Sequence, residues 1–448
     1  MSDDSSGGIL RAVRRPSVPF IAPAAVSALL IGGAVAMTWY GVAIAADGSY
    51  FLVRVLGAES FFGPGQRILA DAARQSPVLL ATSLGVTDTH TLTLLYGGGQ
   101  LVLTAIAWSA AIFVCRADRT AFVVVGTTAA LCAGSTWLFS VSENVLAVPV
   151  AVLVAALLWW PRTWHWSHAL LACSGSFLLV ASYETAAVTG IALGTWAAWR
   201  ARLARTRMER YGCLFVACTA AVSIVVAIIG ASAGGPGPTH AQAFIYYLAS
   251  LEPWPFFVGL AGVVVLVGAL ELRISPRVVW GLAGVGCALV AVGAVGVETT
   301  FAAAYEARGG ASAAAFLVSV FLWWRWVQDR RENTNQADAG RLSSWLLAVP
   351  VAAAAVLMAA DVAASRSWSQ SLDAFRASVN HETGLVPADS VLPEDRREVL
   401  WGWTSSSLSL IVRSNPDGAI LYDRRPSYVP FLPTEAREQI PETYTWRP

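Results

Sequence analysis

The sequence predicts an all-α polytopic membrane protein with about 11 transmembrane helices and a small outer C-terminal α+β domain. Three observations predict this class: 56% of the 448 residues are hydrophobic, only 13% are charged, and the apolar residues form long runs. Soluble proteins average about 25% charged residues, so a globule could not bury this much apolar side chain. The net charge of +1 gives no electrostatic basis for binding nucleic acid.

The lengths of the apolar runs predict the individual spans. A helix that crosses a bilayer core of about 30 Å needs roughly 20 apolar residues. Runs that reach or approach this length predict eleven spans, at about 20–46, 90–115, 120–141, 145–160, 167–182, 185–199, 211–230, 254–270, 278–297, 310–327 and 342–363. The predicted domains are a cytoplasmic N-terminal segment at 1–19, a membrane domain at 20–363 and an extracytoplasmic domain at 364–448.

The distribution of arginine predicts the orientation. With the N-terminus in the cytoplasm, the N-terminal segment and the cytoplasmic loops together carry 17 arginines, and the short opposite loops carry four, Arg54, Arg67, Arg74 and Arg308. Such an excess marks the cytoplasmic side of a membrane protein, and the run from Arg200 to Arg210 is interpreted as a topology signal in contact with lipid headgroups. The absence of lysine, with many Ala and Trp residues, indicates a high-GC bacterial genome. The expected location is therefore the bacterial inner membrane.

The segment 47–89 is the longest predicted outer segment of the membrane domain. It begins with Asp47-Gly48-Ser49-Tyr50-Phe51, followed by Arg54. In residues 67–74 the charged and apolar side chains separate onto two faces of a helix, which predicts a juxtamembrane helix lying in the interface. The apolar patch from Val78 to Leu84 is expected to enter the lipid surface.

Carboxylates recur in the other predicted outer turns. The candidate residues in those turns are Glu143, Tyr183, Glu184, Tyr305, Glu306 and Arg308. Carboxylates at the ends of spans need solvent or a partner, so their recurrence on one side predicts a polar cavity that opens outward. Simpler interpretations remain open: Asp47 caps or terminates a helix at the water boundary, Glu143 and Glu184 are solvated turn residues, and Arg308 pairs with Glu306.

The composition changes after about residue 364, where no apolar run is long enough to span a membrane. Helical spacing of Trp368, Leu372, Phe375 and Val379 predicts that the last span continues or restarts as an amphipathic helix. Two strands are predicted in the tail, at Ser407–Val412 and Ala419–Tyr422, joined by the turn Asn415-Pro416-Asp417-Gly418.

This layout resembles the GT-C-type superfamily of polytopic membrane glycosyltransferases. The matching features are Asp47 with Tyr50 and Arg54, the long first outer segment and the outer tail. The acidic pair that is common in the superfamily is here a single Asp47 followed by Gly48. The resemblance implies transfer of a sugar from a polyprenyl-phosphate donor to a glycan, lipid or protein acceptor of the cell envelope, on the outer face of the membrane.

The resemblance implies a catalytic role for Asp47, and the positions of the other candidate residues in the outer segments motivate theirs. Asp47 is the expected general base, and Arg54 and Arg308 are expected to bind the donor phosphate. The expected contacts to the acceptor or the sugar are Tyr50, Glu143, Tyr183, Glu184, Tyr305 and Glu306. No cofactor is certain; a divalent cation held by Asp47 and Glu143 is the one candidate.

Two other functions remain open. A non-catalytic GT-C-like membrane subunit is favoured by the missing acidic pair. A transporter or lipid flippase is favoured by a helix interruption at Gly97-Gly98-Gly99. Transport would also require charged residues buried within the spans, and the sequence is expected to lack them.

Overall fold

The computed structural model describes residues 18–63, 67–136, 144–160, 164–182, 186–232, 301–331, 344–393, 404–424 and 441–447. Helices dominate this part of the chain. The first half contains α1 Ile21–Trp39, α2 Asp47–Ala58, α3 Ile68–Ser83, α4 Thr89–Gly97, α5 Leu103–Cys115, α6 Arg119–Thr136 and α7 Asn144–Trp159. The second half contains α8 Trp166–Leu178, α9 Ala186–Arg202, α10 Arg207–Ser232, α11 Phe301–Arg331, α12 Ala348–His381, α13 Ala388–Val391 and α14 Ser405–Val412.

Short irregular helical turns and one small sheet complete the described residues. Turns of 3-10 helix lie at Val42–Ile44, Leu179–Ala181 and Ser344–Leu347, and a π-helical turn at Gly98–Val102 joins α4 to α5. Strands β1 Leu385–Pro387 and β2 Ile420–Tyr422 pair in parallel, with Leu385 opposite Ile420.

Four helical segments of the described residues are long and apolar enough to cross a membrane. They are Ile21–Trp39, Thr89–Cys115, Arg207–Gly230 and Ala348–His381. Shorter apolar helices lie at Arg119–Gly134, Val145–Trp159 and Trp166–Ala181. The predicted spans at 254–270 and 278–297 lie outside the described residues, so the number eleven stays a prediction.

Close contacts at glycine establish the relative directions of the central helices. A Cβ atom placed on Gly126 would lie 2.9 Å from the Pro350 side chain, and one on Gly134 would lie 2.7 Å from Leu357. Helices α6 and α12 therefore run parallel at close distance, the packing that small residues permit in membranes. Helix α1 runs in the same direction, because Gly33 meets Met358, and Gly41, just past the end of α1, meets Leu372 further along α12. We name the end at which α1, α6 and α12 point the outer end, following the predicted orientation.

The last long helix confirms the predicted amphipathic continuation. Helix α12 has 34 residues, about 50 Å of helix, which exceeds the thickness of a bilayer core. The four predicted residues, Trp368, Leu372, Phe375 and Val379, are all buried. Helix α12 therefore extends continuously from the apolar bundle to the C-terminal elements.

The predicted strand at Ser407–Val412 is wrong. These residues form helix α14, in which all eight side chains are buried, so no alternation of exposed and buried positions distinguishes the segment. The hydroxyl of Ser409 donates to the carbonyl of Ser405 at 2.8 Å, a contact compatible with a helix. The predicted strand at 419–422 is confirmed as β2, but its partner is β1.

Candidate functional site at the outer end of the helices

The sequence predicts Asp47 at the end of the first span, whereas in the structure this residue lies at the start of a second helix. Helix α1 ends at Trp39, and the chain turns through Val42–Ile44 before Asp47 begins α2. The turn depends on Gly41, whose φ of 70° favours glycine. The Gly41 carbonyl accepts a hydrogen bond from the Trp368 indole at 3.1 Å. Asp47 therefore neither terminates α1 nor occupies the N-cap position of α2, which is Ala46.

The backbone just before Asp47 is strained. Ala46 has a φ of 48° and a ψ of −129°, a conformation that residues other than glycine rarely adopt. The half-buried Asp47 occupies the first turn of α2, where the helix dipole favours a negative charge. Nearby, the Ser49 hydroxyl donates to the Ala46 carbonyl at 3.3 Å. The fold thus fixes a carboxylate at the junction between α1 and α2.

Tyr50 and Arg54 lie on the same side of α2 as Asp47, because these residues are separated by three and seven positions. The Arg54 guanidinium carbon lies 4.9 Å from the centroid of the Phe62 ring and 5.8 Å from that of Tyr50. Tyr50 and Phe62 contact each other edge to face at 5.9 Å. One cluster therefore brings together two of the residues predicted to bind substrate.

Helix α3 is the predicted juxtamembrane helix, but its polar face points into the protein. Asp71, Arg74 and Gln75 are 2%, 1% and 1% exposed, whereas Leu80 and Leu84 are 64% and 76% exposed. The predicted separation of charged and apolar residues onto two faces is present, and the charged face is the buried one. The physical reason is that the inner side of α3 meets polar backbone: the Gln75 side chain accepts from the Phe62 N–H at 2.9 Å and donates to the Phe62 carbonyl at 2.6 Å.

Two glycines allow this polar face to approach its neighbours. A Cβ atom on Gly63 would lie 2.0 Å from Asp71 Oδ2, and one on Gly99 would lie 1.9 Å from the Arg74 carbonyl oxygen. A side chain at Gly63 would require the Asp71 carboxylate to move, and a side chain at Gly99 would overlap backbone. The π-helical turn that contains Gly99 therefore packs directly against the backbone of α3.

Arg74 is the residue of this site that the sequence analysis missed as a ligand-binding candidate. Its Nη1 lies 3.7 Å from Asp71 Oδ1, while its buried Nε and Nη2 donate to no acceptor in the described part of the chain. A buried guanidinium with a single long ion pair is unfavourable. In the adjacent π-helical turn, the buried Gln100 Oε1 also accepts no hydrogen bond from the described residues. The sequence pattern showed that Asp71 and Arg74 share a face of the helix. It did not show that this face is buried, which is the property that makes Arg74 a candidate.

The remaining predicted site residues divide into two groups. Tyr305, Glu306 and Arg308 lie in the first turns of α11, which begins at Phe301, so the prediction that they occupy a turn before the span is wrong. The apolar residues 301–304 simply extend the helix beyond the expected start. Glu143, Tyr183 and Glu184 lie outside the described residues, and their convergence with Asp47 stays a prediction. The side chains that the structure describes include no group of three or more His, Cys, Asp or Glu residues able to hold a metal ion.

A buried carboxyl group within a candidate span corrects another expectation. Asp361, in the apolar part of α12, is 6% exposed, and its Oδ2 accepts no hydrogen bond from the described residues. The expectation that the spans lack buried charged residues is therefore wrong. The expected interruption at Gly97–Gly99 is present, but as a π-helical turn that leaves α4 and α5 continuous.

No family model matches the chain, and no curated protein or solved structure matches it either.

Proposed function

We propose that the protein transfers a sugar from a polyprenyl-phosphate donor to an acceptor of the cell envelope, on the outer face of the bacterial inner membrane. One observation carries the proposal: charged groups of two successive helices lie together at one end of an apolar helical bundle, the end predicted to be the outer one. Helix α2 presents Asp47, Tyr50 and Arg54, and α3 buries Asp71 and Arg74. The proposed topology has eleven spans, a cytoplasmic N-terminus and an extracytoplasmic C-terminal domain.

The proposed reaction is a displacement at the anomeric carbon of the donor sugar. The acceptor hydroxyl attacks this carbon and transfers its proton to the Asp47 carboxylate, which acts as general base. The bond between the anomeric carbon and the phosphate oxygen breaks, and the polyprenyl phosphate leaves with the electron pair. The fixed position of Asp47 in the first turn of α2 supports this role.

The leaving phosphate needs cationic hydrogen-bond donors. The two unused donors of Arg74 support it as a phosphate ligand, because a phosphate would supply the acceptors that the buried guanidinium lacks. Arg54, held between Tyr50 and Phe62, is the second proposed ligand. Arg308 on α11 remains a third candidate.

The sugar, the acceptor and the lipid tail occupy the surroundings of this site in the proposal. Tyr50 would contact the sugar, and the predicted contacts to the acceptor remain Glu143, Tyr183, Glu184, Tyr305 and Glu306. The exposed Leu80 and Leu84 of α3 would border the polyprenyl chain. A divalent cation between Asp47 and Glu143 remains an optional component.

Substitution of Asp47 tests the proposal. Wild-type protein in liposomes is supplied with a panel of synthetic polyprenyl-phosphate sugars, and the released polyprenyl phosphate is measured by mass spectrometry. Asp47→Asn should reduce release about a hundredfold or more, while Asp373→Asn, at an exposed position of α12, should leave it unchanged. Full activity of a folded Asp47→Asn protein would exclude the base role.

The two other functions make different predictions for the same preparation. The single Asp47 in place of an acidic pair favours a non-catalytic subunit, which would bind polyprenyl phosphate without releasing it from any donor sugar. The π-helical turn at Gly98–Val102 and the buried Asp361 favour a transporter. Uptake of a solute into liposomes that depends on Asp361 would support transport instead.

A further inference from the structure

Two ion pairs lie at the inner end of the bundle, which is the end opposite to the outer one. Each pair joins an arginine to one of the carboxylates whose side chains the structure describes at this end. Arg200 contacts Glu209 at 2.9 Å, with both side chains 1% exposed. Arg325 contacts Asp118 at 3.0 Å. The carboxylates of this end whose side chains the structure describes are therefore already neutralised by these two arginines.

The same end carries a surplus of exposed arginines. These are Arg202, Arg205, Arg207 and Arg210, around the connection from α9 to α10, and Arg330 near the end of α11. None of them lies within ion-pair distance of a carboxylate among the described side chains. Partial desolvation lowers the pKa of the otherwise exposed Arg330, and repulsion from Arg200 and Arg205 lowers it further against the opposing effect of Glu209. An anion at this position would be attracted by several guanidinium groups at once.

A cluster of tryptophans adjoins these arginines. Trp196 of α9 stacks on Trp323 of α11 at 6.5 Å, and Trp199 meets Trp326 edge to face at 5.6 Å. The Arg330 guanidinium lies 4.5 Å above the Trp326 ring. Trp199 is 40% exposed, which is typical of the aromatic belt at a membrane interface.

We infer that this cluster is a binding site for an anionic phospholipid of the cytoplasmic leaflet, with its phosphate between Arg330 and Arg205. The exposed indole of Trp199 lies at the level of the glycerol ester groups, and the acyl chains follow the exposed Leu214 and Phe215 of α10. Charge complementarity selects an anionic headgroup over a zwitterionic one. The site shares no residue with the outer site and does not depend on sugar transfer.

Lipid binding by the full-length protein tests this site. The protein is placed in nanodiscs of phosphatidylcholine that contain a minority of phosphatidylglycerol, and the retained lipids are counted by native mass spectrometry. The double variant Arg330→Gln/Arg205→Gln should bind phosphatidylglycerol about thirtyfold more weakly, since each arginine near a membrane surface contributes about fivefold. The double variant with lysine at both positions should retain most of the binding.

Two further variants make the result decisive. Arg366→Gln removes an exposed arginine toward the outer end of α12 and should leave phosphatidylglycerol binding unchanged. Arg205→Gln alone changes an exposed side chain, so folding is preserved, and should weaken binding about fivefold. The inference is overturned if the double glutamine variant binds phosphatidylglycerol like wild type, or if wild type retains phosphatidylcholine equally well.

Discussion

Two adjacent glycines show how strongly a single methyl group can matter at the contact between α3 and the π-helical turn. A Cβ atom on Gly99 would overlap the Arg74 carbonyl oxygen, whereas one on Gly98 meets nothing within 4 Å. Gly99→Ala should therefore lower the free energy of unfolding by about 1–3 kcal/mol. Gly98→Ala should leave it unchanged or raise it by up to about 1 kcal/mol, because alanine favours a helix. Thermal unfolding in detergent measures both; equal effects would contradict the close-approach explanation.

Burial distinguishes the two ion pairs Arg200–Glu209 and Arg376–Asp373. Glu209→Gln leaves Arg200 without its carboxylate partner inside the protein, and should cost about 3–5 kcal/mol of stability. Asp373→Asn breaks a pair in which Asp373 is 65% exposed, and should cost at most about 1 kcal/mol. Denaturant unfolding of the two variants provides the comparison. A loss for Glu209→Gln no larger than that for Asp373→Asn would show that the buried pair is not important for stability.

Among the elements, α3 and α14 show the limits of prediction from sequence. The pattern in residues 67–74 correctly predicts a helix with a polar face, but such a pattern does not reveal whether water or buried backbone receives that face. The polar face of α3 points inward because Gln75 bonds to the backbone of Phe62 and because Gly99 lets the next helical segment approach Arg74. Phe62 and Gly99 lie outside the segment 67–74, so the pattern within that segment could not reveal these contacts. In α14 every side chain is buried, so neither helical nor strand periodicity could appear. Residues such as Arg74 were missed for the same reason.

A hydrogen bond to a buried hydroxyl connects strand β2 to helix α14. Ser409 Oγ accepts a hydrogen bond from the Leu421 N–H at 3.0 Å. Ser409→Ala should leave this N–H without an acceptor and cost about 1–3 kcal/mol. Ser390→Ala, at an exposed position in α13, is the matched control and should have little effect. Hydrogen exchange at Leu421 should accelerate only in the first variant; unchanged protection there would exclude a role for the hydroxyl.

At the scale of the whole molecule, the long apolar helices were predictable because hydropathy and length determine them directly. Helices α1, α10 and α12 and the segment Thr89–Cys115 fall within or over predicted spans. The ends of the helices were less predictable. The first helix stops within an apolar run, because the positive φ of Gly41 changes the direction of the chain there. Asp361 lies inside a run that is apolar on average, so hydropathy alone predicted a span there without drawing attention to its carboxyl group. Composition thus predicted the class, while local backbone geometry positioned Asp47.

The described C-terminal residues form hydrogen bonds with segments that are distant along the chain. Residues 441–447 pass the start of α4, where the Thr89 N–H donates to the Thr445 carbonyl at 3.0 Å and the Arg447 N–H donates to Asp88 Oδ1 at 2.8 Å. The Trp446 N–H donates to the Arg413 carbonyl at 2.9 Å. Asp88 therefore links the membrane part, through its cap on α4, to the C-terminal elements.

This link predicts an acid-sensitive stability that depends on Asp88. Burial alone would raise the pKa of its carboxyl, but hydrogen bonds from the Thr91 hydroxyl and from the backbone N–H groups of Arg447, Thr91 and His90 outweigh burial and lower it. A lowered pKa means that the stabilisation is complete above the ordinary value of 3.8 and is lost as the pH falls through the folded value. Asp88→Ala should therefore cost about 1–2 kcal/mol at neutral pH and flatten the decline in unfolding free energy below about pH 4. Asp417→Asn, at an exposed turn, should keep that decline; the same decline in Asp88→Ala would show that other carboxylates cause it.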